Sequence, residues 1–136
     1  MEYTRKVFYY ETDQMGIVHH SNYIRWFEEA RIDFLDKLNY PYARMEKEGI
    51  ISPVLGVECE YVSMVHFGDT VTVEVTVEDF KMVKYSFSYV VKDAATGEIR
   101  CKGKTRHCFL NSEGRPVVIK KQFPELYKAL NPEENL

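Results

Sequence analysis

The sequence predicts an α+β fold, an antiparallel sheet of about five strands wrapped around one long helix. Three observations lead there. One stretch in the first third of the chain carries apolar residues at helical spacing, and two later stretches alternate apolar and polar residues with a period of two. A lone β-prone, aromatic segment, residues 3–10, precedes the helix. At 136 residues the chain is long enough to bury a sizeable core and is expected to form a single domain, 1–136.

Each element follows in order. After residues 3–10 comes a polar loop, and then Tyr23, Ile24, Phe27, Ala30, Phe34, Leu35 and Leu38 fall on one helical arc, opposite Arg25, Glu28, Glu29, Asp33 and Asp36. This long amphipathic helix is expected to end near Asn39–Pro41. Trp26 and Ile32 fall outside the apolar arc, and Arg31 inside it, where snorkelling to solvent is the plain expectation. Contacts with another subunit are the other reading of these three. A short helical piece, YARMEKEG, leads into a second half made of strands. Val71, Val73, Val75 and Val77 alternate with Thr and Glu, and Tyr85, Phe87, Tyr89 and Val91 repeat the pattern after a turn at DFKMVK. The turn AATGE precedes Ile99, Cys101, Gly103, Thr105 and His107, which oppose Arg100, Lys102, Lys104 and Arg106. NSEGRP is another turn, and FPELYKAL closes the chain as a short helix. The strands after the helix are expected to meander.

Composition narrows the function. A net charge of −3 excludes whole-molecule attraction to nucleic acid or anionic membrane, so any phosphate must be bound by a local basic patch. The N-terminal MEYTRKVFYYETD has no continuous apolar run, so neither a signal peptide nor a membrane span is expected there. Cys59, Cys101 and Cys108 are odd in number and form no CxxC, as expected of reduced thiols in a cytoplasmic protein.

The chemistry concentrates in ETDQMGIVHHSNY, just ahead of the helix. The first amides of a helix lack internal acceptors, and their partial positive charge suits a developing oxyanion. Asp13 lies a loop's length upstream, and Gly16 gives the loop its freedom in backbone angle. The stretch therefore has the parts of an acyl-transfer site, with Asp13 as nucleophile or base and a helix-terminal N–H as oxyanion donor. The plain alternative is that Asp13 is only a turn former or cap. Other chemistries fit worse. Glu11 and Asp13 as a glycosidase pair lack a sugar cleft, and adjacent His19 and His20 lack a third metal ligand. Ser21 directly follows His20, with no nucleophile elbow.

The run VFYYETDQMGIVHHSNYIRWFEEARIDFL resembles the signature of the 4-hydroxybenzoyl-CoA thioesterase-like family, which comprises hotdog-fold acyl-CoA thioesterases and includes those associated with the bacterial Tol–Pal system. The matching positions are Thr12-Asp13, Gly16-Ile17-Val18, His20, Asn22-Tyr23 and Ala30-Arg31. The resemblance implies hydrolysis of an acyl-CoA thioester without metal or other cofactor. It implies Asp13 as the catalytic aspartate, the backbone N–H of His20 as oxyanion donor, and Tyr9 and Gly16 beside the substrate. It also implies a homo-oligomer, at least a dimer and more specifically a tetramer built as a dimer of dimers. Gln14-Met15 departs from the small pairs of relatives and leaves the size of the acyl group open, while Glu11 has no assigned role. Coenzyme A carries phosphates, for which Lys81 and Lys84 are candidate ligands; the row Arg100–Arg106 reads better as a solvated strand face. Two alternatives stay open: a thioesterase acting on acyl carrier protein, docked by that basic row, and a non-catalytic acyl-CoA-binding module.

Overall fold

The computed structural model describes residues 1–131; the remainder of the expected 1–136 domain lies outside the described residues. Strand β1 (Glu2–Lys6) leads through a 3-10 turn (Tyr9–Glu11) and a loop into helix α1 (Ser21–Lys37), followed by α2 (Tyr42–Lys47). Strands β2 (Val54–Tyr61), β3 (Thr70–Glu78), β4 (Lys84–Asp93) and β5 (Ile99–Cys108) come next, and α3 (Ile119–Gln122) and α4 (Pro124–Leu130) close the described chain. The five strands form one antiparallel sheet in the order β1-β3-β4-β5-β2, with α1 against its inner face. This is the expected α+β architecture.

The alternation seen in the sequence sorts the sheet's two faces. Val71, Val73, Val75 and Val77 of β3 and Tyr85, Phe87, Tyr89 and Val91 of β4 are buried under the helix. Gly103 of β5 makes room for Phe27, which stacks on Tyr89 with ring centroids 4.4 Å apart; a Cβ at Gly103 would lie 2.3 Å from the Phe27 ring. The outer face carries the basic row, and much of it is engaged. Arg100 pairs with Glu98 at 3.3 Å and Lys104 with Asp79 at 2.6 Å; Lys102 stands across from Glu60, and the Arg106 guanidinium covers Gly56.

Four expectations are corrected. The first strand stops at Lys6, and Tyr9 lies in the 3-10 turn beyond it. The strands after α1 do not simply meander: β2 lies on the far edge beside β5, and residues 62–69 cross back to β3. The buried residues of α1 form two adjacent rows, Asn22-Trp26-Ala30-Phe34 and Tyr23-Phe27-Arg31-Leu35, while Ile24 joins Ile32 on the exposed side. Finally, Arg31 does not snorkel. It is 7% exposed, and its Nη1 donates to the Tyr89 hydroxyl at 3.2 Å. That hydroxyl meets Thr105 Oγ1 at 2.6 Å, and Thr105 Oγ1 meets His107 Nε2 at 2.7 Å. Burial, reinforced by the Arg31 charge, pushes the His107 pKa down to about 4, so the imidazole is neutral in this chain of contacts.

Candidate active site

The crossover 62–69 holds one side of the polar loop, at Gly16–Val18. Val18 N donates to Val65 O at 2.8 Å and Phe67 N to Gly16 O at 3.1 Å, while Thr12 bridges Val18 and Ile17 bridges His66. Within the loop, Asp13 N donates to Ile17 O at 2.9 Å and Gly16 N to Asp13 O at 3.0 Å. Gly16 adopts φ +75°, the left-handed conformation a side chain would strain. Asp13 is half-buried, and its Oδ1 accepts from Met15 N at 2.8 Å. The turn-forming role that spacing alone suggests is thus real. It engages one oxygen; Oδ2 takes no hydrogen bond from the described residues.

His20 is the N-cap of α1 in helical conformation. The next three amides are occupied: Ser21 N by His19 Nδ1 at 3.3 Å, Asn22 N by His19 O at 3.0 Å and Tyr23 N by His20 O at 3.4 Å. The His20 amide meets no acceptor among the described residues, which leaves it as the helix-start donor available to a ligand. Beside it opens a hollow of about 310 Å³ lined by Val18, His20, Tyr23, Tyr61, Ser63 and Met64 among others. Tyr61 reaches in from the edge strand. Its hydroxyl donates to His20 O at 3.2 Å, and its ring packs edge-on against Tyr23 at 5.2 Å.

The sequence-predicted residues divide into two groups. Asp13, Gly16, His20 and Tyr9 gather at one end of the sheet. Tyr9 is 77% exposed and leans edge-on against Phe67 of the crossover, with ring centroids 5.4 Å apart. Lys81 and Lys84 lie at the other end. Lys6 at the loop's root pairs with Thr70, whereas Lys84 stands two residues beyond the Glu78–Ser86 pair. The length of β3 therefore separates them, roughly 25–30 Å at about 3.3 Å per residue. There the two lysines line a different hollow, about 250 Å³, with Asp79, Ser86 and Arg106. Sequence reasoning missed Tyr61, which is brought to the helix start from 41 residues away. It also missed Glu11, a buried carboxylate beneath the loop that accepts from Arg5, Phe8 N and Trp26.

Among the described residues, no group of three or more His, Cys, Asp or Glu is placed to hold a metal ion, and no helix is long and apolar enough to cross a membrane.

The chain that builds this fold and this loop matches the model of the thioesterase-like superfamily over residues 7–130. The chain belongs to that superfamily. It is 36% identical over 125 residues to YneP of Bacillus subtilis, a protein assigned by name, provisionally, to the acyl-CoA thioesterases; the match spans 91% of this chain and 90% of YneP. It is 23% identical to the acyl-CoA thioesterase YbgC of Helicobacter pylori, over 92% of this chain and 98% of YbgC. Its fold is similar to the crystal structure of a DHNA-CoA thioesterase from Staphylococcus aureus, with TM-score 0.90 and 32% identity, covering 99% of this chain and 91% of that one. The thioesterase-like fold expected from the loop motif is therefore the fold of this chain.

Proposed function

We propose that this chain hydrolyses acyl-coenzyme A thioesters to a free acid and coenzyme A, with Asp13 as the reacting carboxylate and the His20 main-chain N–H as oxyanion donor. The observation that carries this reading is the pairing of an unengaged Asp13 oxygen with an unengaged helix-start amide, both held by one short loop. Family membership and the named activity of the relatives support it.

The chemistry follows from the two groups. As the thioester carbonyl is attacked, negative charge develops on its oxygen, and a fixed N–H at a helix start stabilises that charge. Asp13 supports either of two routes. As a general base it takes a proton from water, which adds to the carbonyl; the tetrahedral intermediate then expels the coenzyme A thiolate, which is protonated. As a nucleophile it displaces the thiolate to form a mixed anhydride that water hydrolyses, restoring the carboxylate. Tyr23, Tyr61 and Met64 form the apolar wall beside the reacting carbonyl.

The active form is a homo-oligomer. The edge strand β2 leaves Val54, Leu55, Val57 and Tyr61 exposed, and among the described residues no strand pairs with its outer side. A long apolar edge of this kind is a template for pairing with another copy. Assembly also bears on the phosphates. Lys81 and Lys84 are too far from Asp13 of the same chain, so they serve the coenzyme A tail only if a neighbouring copy brings them to the site. The carboxylate pairing of Arg100 and Lys104 favours coenzyme A over an acidic carrier protein as the thiol carrier. Hydrolysis of one acyl group presented on each carrier tests that preference, and loss of turnover in folded Asp13→Asn tests the site.

A further inference from the structure

We infer that Glu11 is a positioning residue for this hydrolysis: its carboxylate and carbonyl together clamp the Asp13 loop to the start of α1, an inference that rests on reading Asp13 and the His20 amide as the reacting groups. Glu11 is 3% exposed and two positions ahead of Asp13. Its Oε1 accepts from Arg5 Nη1 and from Phe8 N, both at 2.8 Å, and its Oε2 accepts from Trp26 Nε1 at 2.7 Å. Its main-chain oxygen accepts from His19 N and Asn22 Nδ2, both at 2.9 Å. Donors from β1, the turn before the loop, the loop's far end and the first two turns of α1 therefore converge on one residue. The bond from His19 N to Glu11 O closes the loop at its base, and the carboxylate ties that base to the helix through Trp26. The chain from Asp13 to His20 includes Gly16, so backbone connectivity alone leaves the loop's position relative to the helix loosely set. A site works only when its reacting groups are held to within a fraction of an ångström.

The chemistry of the clamp requires a carboxylate. Three N–H donors meet the two oxygens, and among the described residues no side-chain acceptor is bonded to them to receive a proton from a neutral acid. Glutamine fails as well, because either orientation of its amide sets an NH₂ against an N–H donor. The charged surroundings agree with ionisation. The Arg5 guanidinium lies between the rings of Phe8 and Trp26, at 5.1 and 4.9 Å, and is shared with Glu29, which also accepts from the Tyr3 hydroxyl. Burial on its own would raise the Glu11 pKa, but the donors Arg5, Phe8 N and Trp26 outweigh it and hold the carboxyl below its ordinary range. A carboxyl whose pKa is lowered on folding contributes stability above its unfolded value and loses it as pH falls through the folded value. The clamp is thus closed at neutral pH and opens only in acid, below the ordinary carboxylate range.

Trp26 is the sole tryptophan, so its emission reports on the clamp directly. Turnover is measured with whichever of acetyl-, hexanoyl-, palmitoyl- and benzoyl-CoA the wild type hydrolyses fastest, alongside Trp26 emission and thermal unfolding. Glu11→Gln is expected to shift the emission, keep cooperative unfolding, and lower kcat about tenfold or more with KM within about twofold. Adding Trp26→Phe to Glu11→Gln removes one opposed donor and should recover part of that kcat. A merely structural role would lower the melting temperature while leaving kcat per folded molecule unchanged. Folded Glu11→Gln with wild-type kcat, or with only a raised KM, overturns the inference. Should Glu11→Gln fail to fold, Trp26→Phe alone removes one of the three donors, and an unchanged kcat there overturns it equally. Asp13→Asn run in parallel separates the two readings. An active Asp13→Asn protein removes the proposed site, whereas an inactive one beside a fully active Glu11→Gln removes only the clamp.

Discussion

At Asp13 one carboxylate oxygen is engaged by the Met15 amide at 2.8 Å, and the other meets no donor among the described residues. The turn-former reading and the catalytic reading, rivals in the sequence, are therefore compatible in one residue. At His20 the proposed oxyanion donor is the main-chain N–H, and the exposed imidazole packs against His19 and edge-on against Tyr61, with ring centroids 4.2 and 6.3 Å apart. His20→Ala should consequently lower kcat by less than about tenfold, whereas removing the positioned acid–base group costs about a hundredfold or more. Parallel steady-state assays of the two variants check this ordering. Asp13, Gly16 and His20 were legible because their relation is local, within one loop and one helix start. Glu11 was not, since its partners Arg5 and Trp26 stand on other elements and nothing in the spacing links them.

The arc drawn from the sequence for α1 located the helix but misplaced its edges, for a polar reason. Trp26 is 0% exposed because Glu11 satisfies its indole N–H, and Arg31 is buried because Tyr89 receives its guanidinium. Hydropathy cannot weigh partners that arrive from a sheet. Gly103 reads in the sequence as an ordinary member of an alternating strand, yet it is the seat of Phe27. Gly103→Ala should therefore destabilise the fold by about 1–3 kcal/mol through overpacking, with a lowered midpoint in urea and an unchanged slope. The same change at Gly114, where φ is +79° but nothing lies within 4 Å, carries conformational strain without a clash and serves as the contrasting measurement. The path of β2 was the part of the topology that escaped the sequence. Alternation identifies a strand but not its neighbour, and the pairing of β2 with β5 joins residues from 40 apart (Tyr61 and Cys101) to 53 apart (Val54 and His107).

For the whole molecule, strand content and helix length gave the fold class, and the loop motif gave the family, because both are carried by contiguous stretches. Assembly and the coenzyme A tail are not, since they depend on surfaces the chain brings together only on folding. The exposed apolar residues of β2 predict a dimer at least, and the family resemblance implies a dimer of dimers; light scattering at micromolar concentration should give a multiple of the monomer mass. A monomer would remove the only means of bringing Lys81 and Lys84 to Asp13. The claim on which the rest depends, hydrolysis at Asp13, is tested most directly by acyl-CoA turnover in purified Asp13→Asn protein. Asparagine keeps the side chain's shape and can still accept from the Met15 amide, so stability should change by about 1 kcal/mol or less. It cannot attack as an anion or take a proton from water. The expected result is a folded oligomer that still binds acyl-CoA and whose kcat is at least about a hundredfold below wild type; the same folded protein turning over at a near-normal rate would contradict it.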